Sequence, residues 1–121
     1  MKAIQGVLGL GLCLLGVSYA SAQAAKCNAT ITKASIAPNK NHEKTWDILF
    51  NVSVSGCETS GGTFEYVADL DNRGRSELQT VAETFNVEKP GSSQVLVTFH
   101  APSGKSLKDV VGVSVKSCTC Q

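Results

Sequence analysis

The chain has 121 residues, of which 11 are Lys or Arg and 10 are Asp or Glu, with a formal net charge of +1. The basic residues are dispersed, and Arg73 and Arg75 form the densest group. This distribution disfavours nucleic acid and an anionic membrane surface as partners, because such binding depends on concentrated Lys and Arg.

The N-terminal segment has the pattern of a secretory signal peptide. Lys2 precedes an apolar run from Val7 to Val17, and the small residues of SYASAQAA follow, with two overlapping A-x-A cleavage patterns. The run is too short and too rich in Gly for a membrane anchor, which needs about 20 apolar residues. We therefore predict that residues 1–24 are a signal peptide and that residues 25–121 form a single exported domain, secreted or periplasmic.

After the signal peptide, apolar residues recur with a period of two, which is typical of half-buried β-strands. Four strands are clear: TWDILFNVSVSG (45–56), TFEYVADL (63–70), QVLVTFHA (94–101) and DVVGVSVKS (109–117). In the last of them, the predicted core-facing residues are Val111, Val113 and Val115. NATITKASI (28–36) and ELQTVAETFNV (77–87) are weaker candidates, and the second is compatible with two strands divided by a bend.

Six or seven short strands in this length predict an all-β fold, a small antiparallel β-sandwich of the immunoglobulin-like type. A small β-barrel is the alternative. The antibody-type order of Cys, Trp and Cys is absent, because Trp46 precedes Cys57 on the same predicted strand. A domain of this size has a small core, so disulfide staples are expected in an oxidising compartment.

Four cysteines remain if Cys13 is removed with the signal peptide: Cys27, Cys57, Cys118 and Cys120. Residues 118 and 120 point to one side of an extended strand, and a disulfide across a single residue would be strained. Each should therefore pair with Cys27 or Cys57, in an order that the sequence leaves open. The last three cysteines share strand parity with polar positions, which predicts bridges at the rim of the sandwich rather than in its core.

A thiol-based metal site is the alternative interpretation of the C-terminal Cys-x-Cys. Paired thiolates suit Cu(I) or Zn²⁺, and His42 or His100 would complete such a site. Structural disulfides are favoured because exported thiols oxidise. A catalytic dithiol is disfavoured because redox motifs usually lie at a helix N-terminus, which lowers the thiol pKa. We expect no metal and no cofactor.

The segment DLDNRG (69–74) partly matches a calcium-binding loop. Asp69, Asp71 and Gly74 match its positions one, three and six, but Arg73 stands where an oxygen ligand is required. A hairpin turn with Gly74 at positive φ is therefore the favoured interpretation.

The sequence shows no constellation typical of catalysis. His42 lies in a polar loop, His100 lies on the polar side of its predicted strand, and neither is flanked by a nucleophile motif. The glutamates are single carboxylates on polar strand positions, where they are usually solvated. We therefore predict that the protein is not an enzyme.

By elimination, the sequence predicts an exported binding or interaction module: a surface or periplasmic accessory protein, an adhesin-like subunit or a small inhibitor. A thiol-based metal-binding protein is the alternative. A protein or a glycan is the expected ligand, and the sequons at Asn28 and Asn51 are expected to be bare. Loops on a rigid scaffold are the expected contact surfaces; they are APNKNHEK (37–44), DNRGR (71–75), EKPGSS (88–93) and APSGKSLKD (101–109).

Overall fold

The computed structural model describes residues 26–121, so the predicted signal peptide, residues 1–24, lies outside the described residues. Six strands follow one another along the chain: β1 (Asn28–Pro38), β2 (Thr45–Ser55), β3 (Ser60–Asn72), β4 (Arg75–Val87), β5 (Gly91–His100) and β6 (Ser106–Cys120). Residues 26–121 contain no helix that is long and apolar enough to cross a membrane.

The strands form two antiparallel three-stranded sheets, with the orders β1-β2-β5 and β4-β3-β6. The central strands are β2 and β3. Strands β1 and β6 approach each other along one side of the molecule, and β5 and β4 lie along the other. Strands β1, β2 and β5 are ordered like A, B and E of immunoglobulin-like sandwiches, and β3 pairs with β6 as C pairs with F, whereas β4 pairs with β3 and not with β5 as strand D would. The predicted sandwich is thus confirmed, with six strands in two separate sheets.

The core lies between the inner faces of the two central strands. Phe50 of β2 packs edge-on against Phe64 of β3, with ring centroids 5.1 Å apart, and its ring centroid lies 5.3 Å from that of Tyr66. Aromatic pairs in this geometry stabilise a core beyond their buried area alone. Of the alternating apolar residues predicted for β2 and β3, Trp46 is half-buried and the others are buried: Ile48, Phe50, Val52 and Val54 in β2, and Phe64, Tyr66, Ala68 and Leu70 in β3.

Strand β6 departs from the predicted alternation. Its pairing with β3 shifts between Val67, opposite Gly112, and Ala68, opposite Val110. Val111 is the extra residue at this bulge and is 53% exposed, whereas Val110 is buried. The prediction that Val111 faces the core is wrong, because one inserted residue exchanges the two faces of a strand.

Strand β4 is continuous. It pairs with β3 from Arg75 to Val87 without a register shift, so no bend divides it. Only Phe85 and Val87 of this strand are fully buried, and its earlier residues are half-buried or exposed. The reason is that β4 lies at the edge of its sheet. This partial burial explains the weak sequence signal of the segment.

The Tyr66 side chain combines full burial with a hydroxyl group that has no hydrogen-bond partner among residues 26–121. Desolvation by burial raises the pKa of Tyr66 from 10.0 to about 12, and the nearby Glu83 carboxylate contributes in the same direction. The ring therefore stabilises the core through its apolar area, while its hydroxyl contributes a desolvation cost.

Tyr66→Phe should lower the free energy of unfolding by less than about 1 kcal/mol, or raise it, because the substitution removes a buried hydroxyl without a hydrogen-bond partner. Phe50→Ala should cost about 3–5 kcal/mol, because it opens a cavity in the core. Urea denaturation measures both values. A loss above about 2 kcal/mol for Tyr66→Phe would mean that the hydroxyl has a hydrogen-bond partner in the folded protein.

Tyr66 is also the single tyrosine of residues 26–121, so its ionisation can be followed alone. Its folded pKa of about 12 exceeds the reference value of 10.0. The neutral phenol therefore contributes stability that is fully present below pH 10.0 and is lost as the pH rises towards about 12. We expect an alkaline loss of stability in this window that is absent from Tyr66→Phe. A folded protein whose tyrosinate absorbance rises with a midpoint near 10 would contradict the burial of this ring.

Candidate functional site

A shallow groove of about 730 Å³ lies on the outer face of the β1-β2-β5 sheet. Most of its lining comes from neutral polar side chains in two rows that cross the three strands. The strand pairing places Thr32 beside Asn51 and Asn51 beside Gln94; it places Thr30 beside Ser53 and Ser53 beside Ser92. We call these six residues the polar array: Thr30, Thr32, Asn51, Ser53, Ser92 and Gln94.

The alternation that builds the core also builds the polar array. Asn51 and Ser53 alternate with the buried Phe50 and Val52, so they point to the opposite face of the sheet. Hydroxyl and amide groups can each donate and accept hydrogen bonds. Within the array, the Gln94 Nε2 amide donates to Asn51 Oδ1 at 3.2 Å, which orients both side chains.

Lys89 lies at one end of the groove, in the turn between β4 and β5. It is the one charged residue among those of the described chain that line the groove. The groove therefore presents neutral donors and acceptors over most of its area. This chemistry suits a ligand that is itself rich in neutral hydrogen-bonding groups.

The loops expected to form the contact surface are divided between the two ends of the sandwich. The β1–β2, β3–β4 and β5–β6 connections lie at one end, because the strands alternate in direction. The β4–β5 turn lies at the other end and contributes Lys89 to the groove. Ser92 and Ser93, which the sequence placed in this turn, belong to β5. The array was not predicted, because polar positions along a strand are usually solvated.

The second cluster with distinctive chemistry is formed by the cysteines. The structure joins Cys27 to Cys118 and Cys57 to Cys120, with Cα–Cα distances of 5.5 and 5.2 Å. Each C-terminal cysteine thus reaches back to an earlier one, as the sequence predicts. The first bridge ties the start of β1 to β6, and the second ties the β2–β3 connection to the end of β6.

Both bridges lie at one end of the sandwich, but one of them also contacts the core, which strand parity did not predict. Cys27 and Cys118 pack against the hydrophobic core. Between Thr63, opposite Ser117, and Phe64, opposite Val115, the β6 register shifts. The extra residue reverses the strand parity that the sequence assigned to Cys118.

The sulfur atoms of the two bridges lie close together. The Sγ atoms of Cys27, Cys57 and Cys120 are all within 4.8 Å of one another, and Cys118 is bonded to Cys27. The histidines that would complete a metal site are far along the strands from this cluster. His42 lies in the β1–β2 loop, and His100, whose Nδ1 is 3.2 Å from Thr45 Oγ1, ends β5 at the same opposite end of the sandwich.

The acidic segment 69–74 forms the β3–β4 hairpin turn. Arg73 and Gly74 have φ values of 56° and 84°, the left-handed conformation that a tight hairpin turn requires. The Gly74 N–H donates to Asp71 Oδ1 at 2.7 Å, and the Ser76 hydroxyl donates to Asp69 Oδ1. The interpretation of this segment as a turn with Gly74 at positive φ is confirmed.

Three further carboxyl groups have shifted pKa values: burial raises the pKa of Glu83, whereas local contacts lower those of Glu77 and Asp109. Hydrogen bonds from Lys105 and Asn72 hold the pKa of Glu77 below its usual range. Hydrogen bonds from Lys33, whose Nζ is 2.8 Å from Asp109 Oδ1, and from the Val110 amide do the same for Asp109. The Lys33–Asp109 pair links β1 to β6, although exposed pairs of this kind stabilise a fold only slightly.

Removal of either disulfide should destabilise the domain by about 4–5 kcal/mol, because each closes a long loop, with sequence separations of 91 and 63. Beyond this loop-closure contribution, loss of Cys27–Cys118, by Cys27→Ala with Cys118→Ala, should cost roughly 1–2 kcal/mol more than the matched Cys57→Ala with Cys120→Ala, because Cys27 and Cys118 pack against the hydrophobic core. Denaturation of the two double variants measures the difference. The reverse order would contradict the position of Cys118 against the core.

Comparison with known proteins adds no relative. No protein-family model matches the chain, and neither a curated protein nor a solved structure is significantly similar to it. A function is therefore inferred from two features of the sandwich. One is the polar array on the outer face of the β1-β2-β5 sheet, and the other is the cluster of disulfide sulfur atoms at one end.

Proposed function

We propose that this protein is an exported, non-enzymatic binding module that holds its ligand on the polar array. The observation that carries the proposal is the alignment of six neutral hydrogen-bonding side chains in two rows across three paired strands. Such an array is rigid, because each row is set by the backbone register of the sheet. Preorganised polar groups bind at a lower entropic cost than groups on mobile loops.

A glycan is the ligand class that suits this surface best. The array lies on a sheet face, where recognition depends on side chains because the backbone groups of the central strand are already paired. Hydroxyl-rich ligands offer donors and acceptors at close spacing, and the array offers both kinds in return. Lys89 at the edge of the groove would accommodate an acidic substituent. A protein ligand is the other outcome that the experiment below distinguishes.

The two disulfides indicate an oxidising environment, because such bonds persist outside the reducing cytosol. This observation supports the proposed export, to the periplasm or to the cell exterior. A surface or periplasmic accessory protein, an adhesin-like subunit and a small inhibitor are all compatible with a module of this kind.

Thiol-based metal binding is the second candidate function. The proximity of the three Sγ atoms favours it, because reduction by an external dithiol would place four thiols in one small region. In the oxidised protein the same sulfurs are bonded to one another. The intact mass of the native protein separates the two states: two disulfides lower it by four hydrogens relative to the thiol form.

Asn51→Arg should abolish ligand binding, because a long charged side chain at the centre of the array would occupy the groove. Thr84→Arg is the matched control, since Thr84 is exposed on β4 of the other sheet and the variant gains the same charge. The native protein and both variants would be screened against an array of glycans and used for co-purification from the exported fraction of the source cells.

The proposal predicts a bound glycan that the native protein and Thr84→Arg retain equally and that Asn51→Arg loses by tenfold or more. Retention of the same ligand by all three proteins would place the binding site elsewhere. A protein recovered with the same dependence on Asn51 would identify the polar array as a protein-binding surface instead.

A further inference from the structure

The free edge of β5 differs from the other sheet edges in having no protection against pairing. Edge strands expose unpaired N–H and C=O groups, and proteins usually guard them with charged residues, Pro or bulges. The ten residues of β5, GSSQVLVTFH, include no Asp, Glu, Lys, Arg or Pro. They also pair with β2 from Gly91 to His100 without a register shift, so the strand is regular along its whole length.

The other three edges of the described chain are guarded. Strand β1 has a register shift after Lys33 and ends at Pro38. Strand β6 has three register shifts. Strand β4 carries Arg75, Glu77 and Glu83. On one side of the sandwich, the Cys27–Cys118 bridge and the Lys33–Asp109 pair also hold β1 against β6.

An apolar row leads to this unprotected edge. Leu49 of β2 lies opposite Leu96 of β5 in the register, on the outer face next to the polar array. Leu96 is 64% exposed and belongs to the edge strand, so its outward side has no cross-strand neighbour in the described sheet. A large exposed leucine in the middle of a regular, uncharged edge strand is typical of strands that pair with a strand of another chain.

We propose that β5 pairs with β5 of a second copy of this chain, antiparallel and centred near Leu96. The pairing would join the two three-stranded sheets into one continuous six-stranded sheet. In this register Leu96 lies beside the partner's Leu96, and the row of Leu49 and Leu96 becomes a ladder of four leucines across the two-fold axis. Gln94 lies beside the partner's Thr98, and no like charges face each other.

The geometry gives a closed dimer rather than a filament. An antiparallel two-fold contact uses the same edge of both copies, so neither copy has a second equivalent edge to offer. The guarded edges of β1, β4 and β6 do not extend the assembly. Residues 25–121 carry equal numbers of basic and acidic residues, so long-range repulsion does not oppose the association.

Sedimentation equilibrium on the oxidised protein, prepared from the full chain after export, tests the proposal at concentrations up to about 1 mM. We expect a reversible monomer–dimer equilibrium. Leu96→Lys should weaken the dimer on the order of tenfold or more, because it removes the leucine contact and places two like charges side by side. Leu78→Lys is the matched control: Leu78 is 63% exposed on the β4 edge, and its replacement should leave the dimer unchanged.

Hydrogen exchange gives a second readout that does not depend on the variants. Among residues 92–100, the backbone amides that do not already pair with β2 should exchange more slowly as the protein concentration rises, and Leu96→Lys should remove this dependence. A monomer at every concentration would overturn the proposal, as would open-ended oligomers or a dimer that Leu78→Lys weakens and Leu96→Lys does not. Because no ligand is added, these outcomes are independent of binding at the polar array.

Discussion

The packing of Phe50 against Phe64 and Tyr66 is the interaction on which the rest of the molecule depends. It joins the central strands of the two sheets, and each central strand has a neighbour on both sides. Because the side-chain period of a strand is two, burial of one face determines which residues occupy the other. Asn51 and Ser53 point outward for the same reason that Phe50 points inward.

The fold could be predicted where the strand register is regular. In β2 and β3, apolar alternation alone identifies the residues that face the core. Because each strand buries one face only, the pattern predicts two sheets that pack against each other. The prediction fails in β6, where register shifts leave Val111 exposed and turn Cys118 towards the core. A bulge depends on the fit of a strand to its neighbour, and periodicity within one segment carries no record of that fit.

The polar array could not be predicted, because its rows form between segments that are distant in the sequence. Thr32, Asn51 and Gln94 become neighbours only through the pairing of β1 with β2 and of β2 with β5. Each segment by itself shows only the polar half of an amphipathic strand. The order of disulfide pairing is a similar case: the cysteines are recognisable in the sequence, but their partners depend on how β6 approaches β1 and the β2–β3 connection.

The two sides of the sandwich are stabilised in different ways, and this asymmetry connects the disulfides with the free edge of β5. On the side of β1 and β6, a covalent bond and an ion pair cross between the sheets. Two long loops closed by disulfides reduce the entropy of the unfolded chain, which stabilises a small domain whose β5 edge pairs with no further strand of residues 26–121. That edge is then available for association. The β1–β6 side of the sandwich is thus cross-linked by a disulfide and an ion pair. The β4–β5 side instead has a regular, uncharged edge strand, and this is the edge that we propose pairs with a second copy.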